Sequence, residues 1–392
     1  MSPRLGAVAQ AATARVPAPL ADRLFPGRRR EFREAGVTRA PIGERRLFIG
    51  PVNSAGQAHE WARAVERLPG VGAASFQYRG ADDVFGFPAD HVISTTCFVR
   101  NSRWRAAQRR AVESGFTHVL VESGRHLFGT EGTVLAQIRA LQAAGLTVGQ
   151  IWHGSDIRLP SQHAAGEPDS PFHPGRYPDT EALETIVLAH RRLIADAGVP
   201  QFVSTPDLLE FVPGATWVPV VVDVPRWSAA GARPALRGSR PPVVVHAPTR
   251  TGLKGSDRIT EGMRALHDEG VIEYRELHGI PSADMPAVFG DADIVLDQFL
   301  AGAYGVAASE ALAAGRLVVS HVGEDVRAAV AATTGAELPI VQARADELPA
   351  VIREIAGDPS RFAVHVEAGP AFVRAVHDGT LSAEALRPFL DA

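Results

Sequence analysis

The chain has 392 residues, 45% hydrophobic and 21% charged, with a formal net charge of −4. At roughly 100–200 residues per domain this corresponds to two domains, each long enough to bury a core without staples. The single cysteine, Cys97, excludes a disulfide framework and a cysteine-based zinc site and fits a reducing cytoplasm. No apolar run approaches the ~18 residues of a membrane span, and the first residues lack the pattern of a secretory leader.

Residues 1–45 read as a basic extension. Up to Arg46 there are ten arginines and four acidic residues, with Arg28-Arg29-Arg30 at the centre and no sustained period. A partly ordered, solvated arm fits this composition, as does a weak contact with anionic lipid at the inner face of a membrane. Nucleic acid is not expected, because only two aromatic residues, Phe25 and Phe32, interleave with the arginines.

From Arg46 onward short apolar runs alternate with amphipathic stretches. Strands are expected at Leu47–Gly50, Ala73–Tyr78, His91–Ser94, His118–Glu122, Thr147–Trp152, Phe202–Ser204 and Trp217–Val221. Helices should fall at Gln57–Arg67, Ser102–Glu113, Thr133–Ala144 and Thr180–Ala195. Asp223–Pro242, rich in Pro, Gly, Ser and Arg, breaks the rhythm and reads as an interdomain linker. The alternation then resumes, with strands at Val243–His246, Ile272–Leu277, Asp293–Leu296, Leu317–Ser320 and Pro339–Val341. Helices should follow near Ser256–Glu269, Ala283–Phe289, Gly305–Ala314, Val322–Thr333 and Ala345–Ala356, and Gly369–Leu390 is helical in pattern.

Such patterning predicts an α/β protein of two doubly wound, Rossmann-like domains facing a central cleft, with ligands where the strand carboxyl ends open into it. The domains are expected at 46–222 and 242–368, joined by a linker over 223–241. The helical segment 369–392 is placed to cross back to the first domain.

One compositional fact points to chemistry. Of 40 basic residues only one, Lys254, is a lysine. A lysine kept in so arginine-biased a chain suggests a site that wants a compact ammonium rather than a planar fork, although chance survival of a single lysine also fits.

Lys254 lies in Val243-Val244-Val245-His246-Ala247-Pro248-Thr249-Arg250-Thr251-Gly252-Leu253-Lys254-Gly255-Ser256. A buried strand, a loop with two cations and a helix start make an anion site, or else a solvated surface loop. It is not a Walker loop. The second constellation, Asp297-Gln298-Phe299-Leu300-Ala301-Gly302-Ala303-Tyr304-Gly305, leads into an alanine-rich helix that carries Glu310. A carboxylate in an apolar helix is costly unless it accepts hydrogen bonds, which vicinal ribose hydroxyls would supply. The alternative is a glutamate on a solvent face. Asp291-Ala-Asp293 reads as a helix-to-strand junction, and no cluster has metal-ligand spacing, so neither a metal nor another cofactor is expected.

Lys-Gly after a strand, then a small-residue loop and Glu-Ala-x-Ala-x-Gly before an apolar strand, resembles the nucleotide-binding half of retaining GT-B glycosyltransferases, the large family four. The resemblance covers about residues 46–380 in architecture and is motif-specific over 243–320. It implies a nucleoside-diphosphate sugar as co-substrate, with Arg250 and Lys254 on the diphosphate and Glu310 on the ribose. Gly302, Ala303, Tyr304 and Gly305 would lie beside the donor sugar and phosphates, and the backbone around His278, Gly279 and Pro281 would frame the base. The family's motif has two glutamates with seven residues between them, and the first falls on Gly302, with Asp297-Gln298 just upstream. The sugar is therefore expected on backbone groups of Ala303–Gly305, unless the site is degenerate.

In the first domain three polar groups follow expected strands: Asn53, Gly56 and Gln57; Glu122 and Arg125; and His153 with Asp156. His-Gly-x-Asp resembles the family's donor-sugar loop, which makes His153 the expected sugar contact; the others would form the acceptor side. Pro160–Pro178 reads as an ordered loop or flap over that side. The resemblance implies transfer, with retention and without a metal, to a hydroxyl on a glycan, a lipid-linked molecule or a small molecule. Three rivals remain at this level: a non-catalytic nucleotide-sugar-binding partner protein, a nucleotide-sugar epimerase, and a polyanion binder working through the basic arm.

Overall fold

The computed structural model describes residues 26–231, 233–236, 240–249 and 251–392. Its strands form two sheets whose ladders are all parallel. The first comprises β1 (Arg45–Gly50), β2 (Val71–Arg79), β3 (His91–Ser94), β4 (His118–Glu122), β5 (Thr147–Trp152), β6 (Gln201–Val203) and β7 (Thr216–Trp217), in the order β3-β2-β1-β4-β5-β6-β7. The second comprises β8 (Val243–His246), β9 (Glu273–Glu276), β10 (Ile294–Leu296), β11 (Leu317–Ser320) and β12 (Val341–Gln342), in the order β12-β11-β10-β8-β9. No helix among the described residues is long and apolar enough to cross a membrane.

The strands are continuous apolar runs because both faces of each sheet are covered. Leu47 and Ile49 of β1 pack under the helix Gln57–Val65 with Trp61 and Val65, whereas Phe48 points the other way, to Trp104, Val112 and Ile138. In the second sheet Val244, Ile294 and Leu317 face the helices Ser256–Asp268 and Leu348–Gly357. Val245, Val295 and Val318 face the helix Val306–Ala313 and the helix Ala363–Val376. That last cluster continues into Trp152, Val203 and Trp217 of the first sheet, so the two domains share apolar packing.

Strand order reverses between β1 and β4 in the first sheet and between β8 and β10 in the second. The crevice at such a reversal is where open α/β sheets take ligands. In the second sheet β8 and β10 are direct neighbours, His246 opposite Leu296. The Lys254 loop and the Asp297–Gly305 loop therefore leave the same edge side by side.

Several stretches differ from the sequence expectation, among them β7, which covers Thr216–Trp217 where a strand to Val221 was expected, and the unanticipated helix Thr95–Arg100. Asp223–Pro242 is not an aperiodic linker throughout: Asp223 caps the helix Val224–Ala230 by accepting from Arg226 N, and buried Trp227 packs against Phe289. The helical stretch expected over 369–390 is broken at His377–Gly379. Its first part belongs to the helix Ala363–Val376 on the second domain; after Gly379, which takes a left-handed φ of 97°, the helix Thr380–Leu390 packs Leu386 and Phe389 on the first. The crossing is fastened by His377, whose Nδ1–H donates to Val220 O at 2.7 Å and whose carbonyl accepts from Val222 N at 2.8 Å. Finally, the basic arm contains the helix Pro26–Glu34; residues 1–25 lie outside the described residues.

Candidate active site

Between the two sheets lies a cavity of about 320 Å³, lined from the second domain by Lys254, Asp297, Ala303, Gly305 and Glu310 and from the first by His153, Ser155 and Arg158. Gly279, Leu277, Ile280 and Met285 line one end of it together with Phe85 and Phe87 of the first domain.

The second-domain wall is set by a buried histidine. His246, at the end of β8, donates from Nδ1 to Leu296 O at 3.0 Å and accepts at Nε2 from Ser256 Oγ at 2.8 Å. Burial pushes its pKa down to about 4, so it is a neutral pin between β10 and the start of the helix Ser256–Asp268. Gly255 takes the left-handed φ of 78° that turns the chain into this helix, and a Cβ there would stand 2.8 Å from Leu300 Cγ. The turn presents the Lys254 ammonium to the cleft, where Nζ donates to Asp297 Oδ1 at 2.7 Å.

Gly305 begins the helix Val306–Ala313 without any side-chain cap, and Gly305, Val306 and Ala307 all line the cleft. The free N–H groups of this terminus face an opening where an anion is favoured. One turn further, Glu310 reaches the same cavity. Burial pushes its carboxyl up to about 8, against the attraction of Arg226 and Lys254.

On the first-domain wall His153 stacks on Trp61, ring centroids 5.6 Å apart, and donates from Nε2 to Glu122 Oε1 at 3.1 Å. Burial opposes charge on the ring, but the hydrogen bond and charge of Glu122, with Asp156 behind, hold its pKa above the usual value. Glu122 is fully buried, and its other oxygen accepts from Val52 N and Asn53 N, both at 2.8 Å. Asp156 accepts from the backbone N–H groups of His153 and Gly154, which fixes the loop carrying the histidine.

Several expected site residues stand elsewhere. Arg250 lies outside the described residues. Gly302 does not line the cleft; its φ is 63°, and a Cβ there would sit 3.2 Å from Glu167 Oε2. Tyr304 does line the cleft, but it is buried and its hydroxyl donates to His377 Nε2 at 3.2 Å, so the polar end of the phenol is turned towards the domain crossing. The Asn53 amide is held by Pro88 O, Gln77 and His59 N, and Gly56 packs beside Phe87. Gln57 lines the cleft, but its amide exchanges two hydrogen bonds with the Val221 backbone. Arg125 is exposed and outside the cleft. In short, of the residues expected on the acceptor side only Gln57 lines the cleft; Glu122 and Asp156 stand behind it, bracing His153.

The segment after β5 reaches the second domain. It contains the helix Pro160–Gly166, and His163 Nε2–H donates to Ala301 O at 3.3 Å. Glu167 accepts from His321 Nε2 at 2.9 Å and from Arg344 Nη1 at 3.1 Å, and Arg344 also pairs with Asp169. Glu167, Asp169 and His321 bring their oxygen and nitrogen atoms within 4.8 Å of one another, as metal ligands would. The Arg344 guanidinium already supplies the cation to both carboxylates. Sequence reading did not find Phe85 and Phe87; the one available signal was an aromatic pair in the polar loop Gly80–Pro88.

No protein-family model matches the chain, and no curated protein matches it. Solved structures do match. A sucrose-phosphate synthase from Thermosynechococcus elongatus aligns with a TM-score of 0.55 at 12% identity, over 87% of this chain and 97% of its own. An alpha-glucosyltransferase in complex with UDP and a 13-mer DNA aligns at 0.58 and 9% identity, over 88% and 99%. Anabaena HepE in complex with UDP and glucose aligns at 0.52 and 13% identity, over 87% and 98%. The seven- and five-stranded parallel sheets facing one cleft are the GT-B fold of these glycosyltransferases.

Proposed function

We propose that the protein is a retaining glycosyltransferase of the family-four type, moving a sugar from a nucleoside diphosphate to a hydroxyl-bearing acceptor without a metal. The observation that carries this reading is the second-domain wall: the chain's only lysine, an uncapped helix N-terminus and Glu310 all face one cavity. Together they suit a diphosphate beside Lys254 and a ribose beside Glu310. The end walled by Leu277, Gly279 and Ile280 suits the base, under Phe85 and Phe87. UDP and glucose in the HepE complex make a uridine donor the first to try.

In the proposed reaction the bond between the anomeric carbon and the β-phosphate oxygen breaks, and the acceptor oxygen bonds to that carbon from the same face. The acceptor proton passes to the departing phosphate oxygen. Negative charge grows on the diphosphate, where Lys254, the helix N-terminus at Gly305 and, from sequence, Arg250 would stabilise it without reorganising. His153, its pKa held above the usual value by Glu122, would stand at the sugar. The acceptor would enter past Ser155, Arg158 and Phe172.

The test is turnover. Purified protein is incubated with UDP-glucose and a panel of glycan, lipid-linked and small hydroxyl acceptors, with UDP release and the product's anomeric configuration read by NMR. Acceptor-dependent release with retention supports the proposal; inversion overturns the mechanism. One observation favours a second reading: Gly302 cannot supply the family's first glutamate. A non-catalytic nucleotide-sugar-binding protein would bind donor and turn over none of the acceptors.

A further inference from the structure

The donor-sugar end of the cleft raises a chemical question: which carboxylate meets the sugar, if position 302 has none. The space a side chain at 302 would enter is taken by the Glu167 carboxylate, 3.2 Å from the Cβ position. Glu167 itself is engaged by His321, Arg344 and the Asp169 backbone. Glu122 has both oxygens committed, one to His153 and one to two backbone N–H groups. Asp156 is likewise committed to the backbone of His153 and Gly154. Glu310 stands one turn into its helix, at the ribose end of the proposed donor.

Asp297 is different. It is the first residue after β10, only 2% exposed, and it lines the cleft with Ala301 and Ala303. Its Oδ1 takes the Lys254 ammonium at 2.7 Å. Its Oδ2 is buried and has no hydrogen-bond partner among the described residues. A buried carboxylate oxygen without a donor is a standing cost, and such groups in native proteins call for a partner that the free chain does not supply. The partner must be a hydrogen-bond donor and not an anion, because the oxygen already carries charge. The neutral donor groups that come one bond beyond a diphosphate held at Lys254 are the hydroxyls of the sugar.

We propose that Asp297 accepts a hydrogen bond from a hydroxyl of the donor sugar through Oδ2, while Oδ1 orients Lys254 towards the diphosphate. Resting on the nucleotide-sugar reading above, this assigns one residue two tasks: setting the lysine, and discriminating a sugar conjugate from the bare nucleotide. It also accounts for a glycine at 302, since the sugar contact comes from the strand end five residues earlier.

The test is calorimetric binding of UDP, GDP, ADP and dTDP and of the glucose conjugate of each, to wild type and to Asp297→Asn. Asparagine keeps the shape and an acceptor for Lys254 but removes the charge. For the nucleotide that binds, the preference for the conjugate over the diphosphate should fall about ten-fold in Asp297→Asn. The diphosphate itself should bind equally or more tightly, because a negative charge beside Lys254 is gone. A purely structural role would weaken both ligands together and leave their ratio unchanged, and that result overturns the proposal. Should the variant fold poorly, wild type answers alone: glucose conjugates deoxygenated at single positions should lose the preference at one position, and loss at none overturns it. If no nucleotide binds wild type, the donor reading itself fails; if one binds and the ratio is unmoved, only the role of Asp297 fails.

Discussion

Glu310→Gln should act with opposite sign on the free protein and on its donor complex. In the free protein burial holds the Glu310 carboxyl up at about 8, whereas a glutamate in an unfolded chain titrates near about 4.3. Between those values the native state keeps a proton that the unfolded chain has lost. Stability from this group is therefore intact below the unfolded pKa and falls as pH rises towards 8, by up to about 1.4 kcal/mol per pH unit. Glutamine does not titrate. Urea unfolding at pH 5, 6.5 and 8 should show wild type losing ground to Glu310→Gln as pH rises, by a few kcal/mol across the range. Donor binding should show the reverse preference. Ribose hydroxyls favour the ionised carboxylate, so binding has to expel the proton, and wild-type affinity for UDP-glucose should rise about ten-fold per unit up to about pH 8 and then level. Glu310→Gln should bind it more weakly, with a flatter profile. Calorimetry in two buffers of different ionisation enthalpy counts the proton directly. Parallel stability curves for the two proteins, or no proton released on binding at pH 7, would refute this account of Glu310.

Other outcomes follow from the same contacts. Lys254→Met strands the buried Asp297 carboxylate and should cost about 3 kcal/mol of stability in urea unfolding, with more than half recovered when Asp297→Asn is added. Glu122→Gln removes the charge that raises the His153 pKa, so the ring pKa followed by NMR should drop, while the acceptor for Val52 and Asn53 is kept. Restoring a glutamate at Gly302 should destabilise rather than activate. It places a non-glycine residue at a φ of 63°, at about 1–2 kcal/mol, and sets a second carboxylate against Glu167. Adding Glu167→Gln to Gly302→Glu should return part of the lost melting temperature.

Much of the fold was legible because burial on both faces writes itself as uninterrupted apolar runs such as Leu47–Ile49 and Val243–Val245. The shape of the site was legible for a similar reason: β8 and β10 are neighbours at a strand-order reversal, so loops 50 residues apart in sequence converge. What periodicity does not encode is the direction of a polar side chain in a loop. Asn53 and Gln57 looked like cleft groups, but their amides satisfy backbone groups that the turns leave open. Tyr304 lines the cleft as expected, yet its hydroxyl closes on His377, 73 residues away. The helix Val224–Ala230 escaped notice because seven residues framed by Pro and Gly carry too few turns to show a period, and one tryptophan does its packing. The Glu167–His321–Arg344 contact joins two domains, and nothing local in either segment points to the other.

The central claim is that this cleft holds a nucleoside diphosphate through Lys254. It is met most directly by thermal shift with UDP, GDP, ADP, dTDP and their sugar conjugates on wild type and Lys254→Ala, each referenced to its own unliganded melting temperature. A ligand at about 100 times its dissociation constant stabilises by about 2.7 kcal/mol, a shift of several degrees. One nucleotide class should raise the wild-type temperature by that amount and leave Lys254→Ala unmoved. A panel in which no nucleotide shifts wild type, or in which Lys254→Ala shifts equally, would contradict the assignment.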